Sequence, residues 1–326
     1  MIVKKGRTVK KMENRIKILL IILVVICILL VIIYFAVGNY FYNISLNPKT
    51  DKEFVVGSSE QTEEQKMWWE EKTKWLEENS TDAYITSTNN GNLKLHAYEI
   101  ESKEESDVWT IVIHGYMSKG IAMTEYSQKF NGRGYNVLMV DLRGHGLSEG
   151  DYIGMGWHDR LDIIDWINYI ISKNQNSKIM LFGISMGAAT TMMTTGENLP
   201  SNVKLAISDC GYTSVWDEFN YKLNQLFNLP EFPVLYAANT ICKIRANYSF
   251  KDASAVEQLK KSKTPTLFIH GNVDDFVPFE MLDEVYNAAN CEKERLVIDG
   301  AGHALASTVD GDTYWQTIDN FISRFI

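Results

Sequence analysis

The segment Lys178-Ile-Met-Leu-Phe-Gly183-Ile184-Ser185-Met186-Gly187-Ala188-Ala189 passes from an apolar β-rich run, through a Gly-x-Ser-x-Gly turn, into the small-residue start of a helix. A chain that turns so sharply from strand to helix is committed to a layered sheet-and-helix architecture. The two glycines remove the Cβ atoms that would collide where the helix packs back on the strand, and the serine between them is held at strained backbone angles with its hydroxyl pushed outward.

The rest of the chain beyond Ala83 agrees with that architecture. Short β-rich runs at 84–87, 93–100, 108–113, 135–140, 178–183, 203–208, 265–270 and 294–298 alternate with helix-like stretches near 121–132, 157–172, 186–196, 279–290 and 313–324. This pattern predicts a mostly parallel eight-stranded sheet with helices on both faces. The first two runs flank Asn89-Asn90-Gly91, a turn sequence that makes them an antiparallel hairpin. Residues 212–260 break the rhythm, and their helical stretches with Trp216, Phe219, Leu223, Leu226 and Phe227 predict a cap inserted over the sheet.

The amino-terminal part is of another kind. Residues 1–17 carry Lys4, Lys5, Arg7, Lys10, Lys11, Arg15 and Lys17 against Glu13 alone, a local charge of +6. Since the whole chain is at −9, the remainder stands at −15. So acidic a body, with no basic stripe, is unsuited to nucleic acid. From Ile18 to Val37 there are 20 residues without a charge, and a helix of that length covers the roughly 30 Å hydrocarbon core of a bilayer. The run has no polar stripe, and it is longer than a signal-peptide core and lacks a good cleavage site, so it reads as an uncleaved anchor. The basic cluster ahead of it puts the N-terminus on the cytoplasmic side and everything from about residue 39 outside. Tyr34, Phe35, Tyr40, Phe41 and Tyr42 fit an aromatic belt.

The expected division is therefore a basic segment (1–17), a transmembrane helix (18–38), a linker and juxtamembrane helix (39–81), and a sheet-and-helix domain (82–326) holding the cap. Residues 43–62 read as an extended linker and 63–78 as a helix whose Trp68, Trp75 and Leu76 pack on the domain or rest on the membrane. Cys27 lies in the apolar run, and Cys210, Cys242 and Cys291 lack metal-site spacing, so free thiols are expected.

In a sheet of this kind ligands sit beyond the carboxyl ends of the strands. Ser185 ends one strand, and a serine hydroxyl becomes a nucleophile only with an imidazole in reach and a carboxylate to orient it. His303, in Asp299-Gly-Ala-Gly-His303, follows the last strand, where a late loop brings a ring over the turn. Asp274 and Asp275 both follow the strand ending at His270. Of the other histidines, His114 and His270 are expected to shape their turns, His145 to order its loop near the pocket, and His96 and His158 to be structural. Their scatter, without carboxylates at ligand spacing, argues against a metal site.

His114-Gly115-Tyr116, Asp141-Leu-Arg-Gly-His-Gly-Leu-Ser148, Gly183-Ile-Ser-Met-Gly187, His270-Gly-x-x-Asp274-x-x-Val277-Pro278 and Gly302-His303 stand in this order along 82–326. Together they resemble the α/β-hydrolase superfamily, in particular its serine aminopeptidase-like (S33-type) and bacterial membrane-anchored branch. The resemblance implies Ser185 as nucleophile, His303 as base and Asp274 rather than Asp275 as acid. It also implies an oxyanion hole made by the backbone N–H groups of Met186 and Tyr116, and no cofactor. The expected activity is cleavage of an ester or other acyl bond in a small or lipid-like substrate through an acyl-enzyme. An aminopeptidase-like activity on peptides, or a catalytically silent binding protein on the same fold, are the alternatives.

Overall fold

The computed structural model describes residues 2–53, 62–89 and 91–326, with side chains from Met12 onward. Asn90 and residues 54–61 of the expected 43–62 linker lie outside these residues. The strands are β1 (Thr81–Thr86), β2 (Lys94–Ile100), β3 (Val108–Ile113), β4 (Asn136–Val140), β5 (Lys178–Ile184), β6 (Val203–Asp209), β7 (Thr266–Gly271) and β8 (Lys293–Ile298). They form one sheet in the order β1-β2-β4-β3-β5-β6-β7-β8. β1 with β2 and β2 with β4 are antiparallel, and the other pairings are parallel. The sheet is thus mixed at one edge and parallel where the site lies.

The apolar strands are buried on both faces because successive side chains point opposite ways. Ile111, Ile113, Leu138, Val140, Ile179 and Leu181 face one core, and Val112, Val137, Met139, Met180 and Phe182 the other. The first core is closed by Ile163, Trp166 and Ile167 of α4 (Asp159–Lys173), Met192 of α5 (Met186–Thr195) and Leu282 and Val285 of α9 (Glu280–Ala288). The second is closed by Phe130 of α3 (Thr124–Asn131) and Tyr314, Ile318 and Phe321 of α10 (Gly311–Ile322). Between β6 and β7 the chain rises into α6 (Val215–Phe227), α7 (Glu231–Arg245) and α8 (Ala255–Leu259), which make up the expected cap.

α2 (Glu63–Asn79) opens with a capping box between Thr62 and Gln65. It lies on the domain: Leu76 is buried beside Met123 and Phe130, Trp68 Nε1 donates to Glu125 at 3.1 Å, and Lys72 pairs with Glu125 at 3.3 Å.

α1 (Ile2–Leu46) corrects two expectations. The helix does not give way to an extended linker at residue 43 but continues to Leu46, which is fully buried. Nor do all five aromatics form a belt. Phe35 and Tyr40 are exposed, whereas Tyr42 is 2% exposed and Phe41 meets Phe227 of the cap edge-on at 5.3 Å. The reason is tertiary: the Tyr116 hydroxyl donates to Ser45 O at 2.6 Å and Ile153 N–H to Leu46 O at 2.7 Å, pinning the helix end into the domain. The apolar part of α1 is long enough to cross a membrane, and the whole of that window is exposed.

Candidate active site

The parallel register holds Ile113, Gly183 and Ser208 abreast, so the loops that follow β3, β5 and β6 emerge side by side at the carboxyl edge. Ser185 sits at φ 57, ψ −118, the strained turn that its sequence predicts. A Cβ on Gly183 would come within 2.1 Å of Gly187 O, and one on Gly187 within 2.1 Å of Ile113 O. Only glycine lets α5 start this close to β5 and β3. Because α5 begins at Met186, its first N–H groups have no partner within the helix and the positive end of the helix dipole faces the Ser185 hydroxyl region.

His303 reaches over this turn from the loop after β8. Its Nε2 lies 2.8 Å from Ser185 Oγ, and its Nδ1 lies 2.8 Å from Asp274 Oδ2. Asp274 is buried, and its Oδ1 accepts the backbone N–H groups of Phe276 at 2.9 Å and Val277 at 3.0 Å. Burial works against its charge, but hydrogen bonds from His270 and His303, and their nearby charge, hold its carboxyl well below the ordinary range. With Asp274 ionised, the arrangement demands Nδ1–H on His303, which leaves Nε2 free to accept the serine proton. Asp275 stands outside this line. It is exposed, and its carbonyl accepts from Tyr221 Oη at 3.0 Å and Gln225 Nε2 at 3.1 Å on the cap.

Tyr116 and Met186 both line the cavity over Ser185. Gly115 brings the turn before Tyr116 against the serine, where an added Cβ would stand 3.4 Å from Ser185 Cβ. His114 shapes this turn: Leu142 N–H donates to its Nε2 at 3.1 Å, so its Nδ1–H donates to Gly115 O at 2.7 Å, and burial lowers its basicity. His270 has the matching role beyond β7, with Nε2 at 3.1 Å from both Val277 O and Asp274 Oδ2. His145 packs edge-on against His114 at 4.9 Å and holds the Arg143 carbonyl at 3.0 Å, and burial lowers it to about 3. His96 is locked between Asp141 at 2.7 Å and Asp82 at 3.1 Å, and His158 meets the Tyr152 hydroxyl at 2.6 Å. All four described cysteines are free thiols. Among the described residues, Cys210, Asp274 and His303 bring possible ligand atoms within 4.8 Å of one another. Burial raises the Cys210 thiol well above its ordinary value, and a thiol that keeps its proton is a poor metal ligand.

The cavity is about 800 Å³ counted to its open mouth, and its walls are predominantly apolar. Three of its parts were not visible in local sequence pattern. The first is α1 itself, which contributes Phe41, Ile44 and Ser45. The second is Phe276, stacked on the His303 ring at 4.7 Å and 29°, with Lys222 Nζ over the Phe276 ring at 3.6 Å from its centre. The third is Glu218 of α6, a cavity-lining acid that is buried, with Oε2 lacking a hydrogen-bond partner among the described residues.

Burial pushes the Glu218 carboxyl from 4.5 up to about 8, although Lys222 works the other way. Between those two values folding takes up a proton, so this group makes the protein less stable as pH rises. Glu218→Gln is expected to raise the unfolding free energy by on the order of 2 kcal/mol at pH 7 and to leave it unchanged at pH 4. Denaturant titration of the detergent-solubilised chain at both pH values checks this, and an equal gain at both would refute the assignment.

A family model described as serine aminopeptidase, S33, matches residues 104–229, from just before β3 to just past α6. YqkD of Bacillus subtilis is 27% identical over 215 residues, 66% of this chain and 70% of that protein. YfhR of Escherichia coli K12 is 27% identical over 193 residues, 58% of this chain and 61% of that protein. Human ABHD12B is 25% identical over 201 residues, 59% of this chain and 53% of that protein. Among solved structures, an esterase of Pyrococcus furiosus superposes with a TM-score of 0.63 at 24% identity, covering 77% of this chain and 93% of that one. An acylaminoacyl peptidase of Pyrococcus horikoshii gives 0.56 at 16% identity, covering 76% of this chain and 42% of that one.

Proposed function

We propose, on the premise that this chain is an α/β hydrolase by fold, that it is a membrane-anchored serine hydrolase cleaving carboxylic esters of apolar acyl groups. The observation that carries the reading is the unbroken hydrogen-bonded line from Ser185 Oγ through His303 to Asp274 at the floor of an apolar cavity. In the proposed cycle, His303 Nε2 takes the hydroxyl proton as Ser185 Oγ bonds to the ester carbonyl carbon. The resulting oxyanion is met by the backbone N–H groups of Met186 and Tyr116. His303 then passes the proton to the leaving alkoxide as the ester C–O bond breaks. Water, deprotonated by the same ring, attacks the acyl-enzyme and releases the carboxylic acid and free Ser185.

An ester is favoured over a peptide by the character of the cavity. An aminopeptidase needs a fixed negative charge for the substrate's amino terminus, whereas the acid lining this cavity, Glu218, is held mainly in its neutral form at pH 7. The anchor reading rests on the uncharged run 18–37, and the orientation, with the catalytic domain outside, on the basic residues before it.

Turnover of p-nitrophenyl esters from acetate to decanoate, beside aminoacyl-arylamides, tests the reading. Rising kcat/KM to medium or long acyl chains is expected, on the order of ten-fold for each one to two buried methylenes until the cavity is filled. Faster arylamide than ester turnover would transfer the assignment to a peptidase, and no fluorophosphonate labelling at Ser185 would point to a silent binding protein.

A further inference from the structure

The cap touches α1 at the height of its apolar run. Tyr34, inside that run, bonds through its hydroxyl to Thr240 Oγ1 of α7 at 2.9 Å. One turn later, Gly38 lies so close to α7 that a Cβ would stand 2.5 Å from Ala237 O. Beyond the run, Arg245 Nη1 reaches Asn39 at 3.1 Å and Asn43 at 3.0 Å. These contacts fix α7 beside the last turn of the apolar run and the first turns after it.

Tyr236, Thr240 and Ile244 recur every fourth residue along α7 and so form one stripe, and Phe232, whose own backbone at φ −94, ψ 134 is not helical, joins it by packing edge-on against Tyr236 at 5.6 Å. Thr240 is the stripe's contact with Tyr34, while Phe232 is 70%, Tyr236 38% and Ile244 66% exposed. The other side of the same helix gives Val234, Leu235 and Ala238 to the cavity over Ser185. α7 is thus a partition one helix thick between that cavity and the surroundings of α1. Leu226, which lines the cavity and is 39% exposed, extends the apolar path to the mouth. Lys243 and Arg245 flank Ile244 and are exposed, a placement suited to lipid phosphates.

We infer that the stripe Phe232–Tyr236–Ile244 is a second membrane contact, seated in the outer leaflet beside α1, and that Ser185 draws the acyl chains of its substrates from that leaflet. The inference rests on the anchored-hydrolase reading. If residues 18–37 span the hydrocarbon core, α7 stands at its boundary because Tyr34 belongs to that span and bonds to Thr240. Exposed Phe, Tyr and Ile side chains at that depth leave water for acyl chains and headgroups, and the partition's inner side receives an acyl tail in an apolar cavity.

The test uses the full chain in vesicles of phosphatidylcholine and phosphatidylglycerol, with p-benzoylphenylalanine in place of Ile244, of Ile28 in α1, or of Glu104 in the loop before β3. Irradiation is expected to give lipid adducts at positions 28 and 244 and none at 104. Adducts at 28 without any at 244 would overturn the inference while leaving the anchor intact, and none at 28 would remove the anchor and the inference with it. In a second arm, the double variant Phe232→Glu, Ile244→Glu is compared with the unaltered chain. It should lose about ten-fold in turnover of a vesicle-embedded p-nitrophenyl palmitate and keep its rate on soluble p-nitrophenyl acetate within about two-fold. Equal rates on the embedded ester would overturn the route from the leaflet. An unaltered chain inactive on both esters would remove the hydrolase reading, and with it the acyl delivery, while the adducts alone still decide the membrane contact.

Discussion

Ser185→Ala is expected to cut turnover of short p-nitrophenyl esters by about ten-thousand- to million-fold and to abolish labelling by a fluorophosphonate, with the fold intact. The size follows from the proposed cycle: without Ser185 Oγ to bond to the carbonyl carbon, only binding and the N–H groups proposed for the oxyanion, those of Met186 and Tyr116, would be left to accelerate attack by water. Folding should survive because alanine is smaller than serine and the Ser185 main chain keeps its bonds, N–H to Asp209 O at 2.8 Å and O to Ala189 N–H at 3.0 Å. Circular dichroism and a thermal melt separate the two effects. Residual turnover above about a tenth of the unaltered rate would take Ser185 out of the nucleophile role.

Asp274→Asn should lower kcat by about a thousand- to ten-thousand-fold with little change in KM, through the tautomer of His303. The Phe276 and Val277 N–H groups donate to Asp274 Oδ1, so an asparagine there keeps its oxygen toward them. Its NH₂ then faces His303 Nδ1, which must accept, and the ring carries its proton on Nε2, where it cannot take one from Ser185. The same substitution removes a carboxylate whose depressed pKa stabilises the fold. That contribution is present above the ordinary value of 3.8 and is lost as pH falls through the lower folded value. The stability cost should therefore appear at neutral pH and shrink toward strong acid. Asp275→Asn, exposed and outside the line, should leave kcat within about two-fold. Steady-state kinetics of the two variants side by side checks the choice, and a greater loss at position 275 would reverse it.

Much of this arrangement was legible in the chain because it is written in local pattern. Each strand appears within a few residues of its expected place, since an apolar β-rich run bounded by turn residues constrains only its own backbone. The strained angles at Ser185 follow from Gly183 and Gly187 on either side, and His303 and the adjacent pair Asp274 and Asp275 were candidates by their positions after strands. Position after the strand left Asp274 and Asp275 both open, and it was the resemblance of His270-Gly-x-x-Asp274-x-x-Val277-Pro278 to a family pattern that implied Asp274. The loop's path, which no local pattern gives, turns Asp274 inward onto Phe276 N–H, Val277 N–H and His303 and leaves Asp275 outward.

The chain order of elements, the turn that raises Ser185 and the apolar run of α1 are set by neighbours in sequence, where sterics and periodicity act over a few residues. What stands around the serine is set by packing between parts far apart in the chain. Tyr34 meets Thr240, Ser45 meets Tyr116, and Phe41 and Glu218 line one cavity. Such contacts come from burying whatever surfaces the fold brings together, a free energy that depends on the assembled shape and leaves no periodic signal in either partner. An aromatic expected at the membrane, Phe41, lines the cavity instead, so the helix that carries the apolar run also builds part of the wall around Ser185.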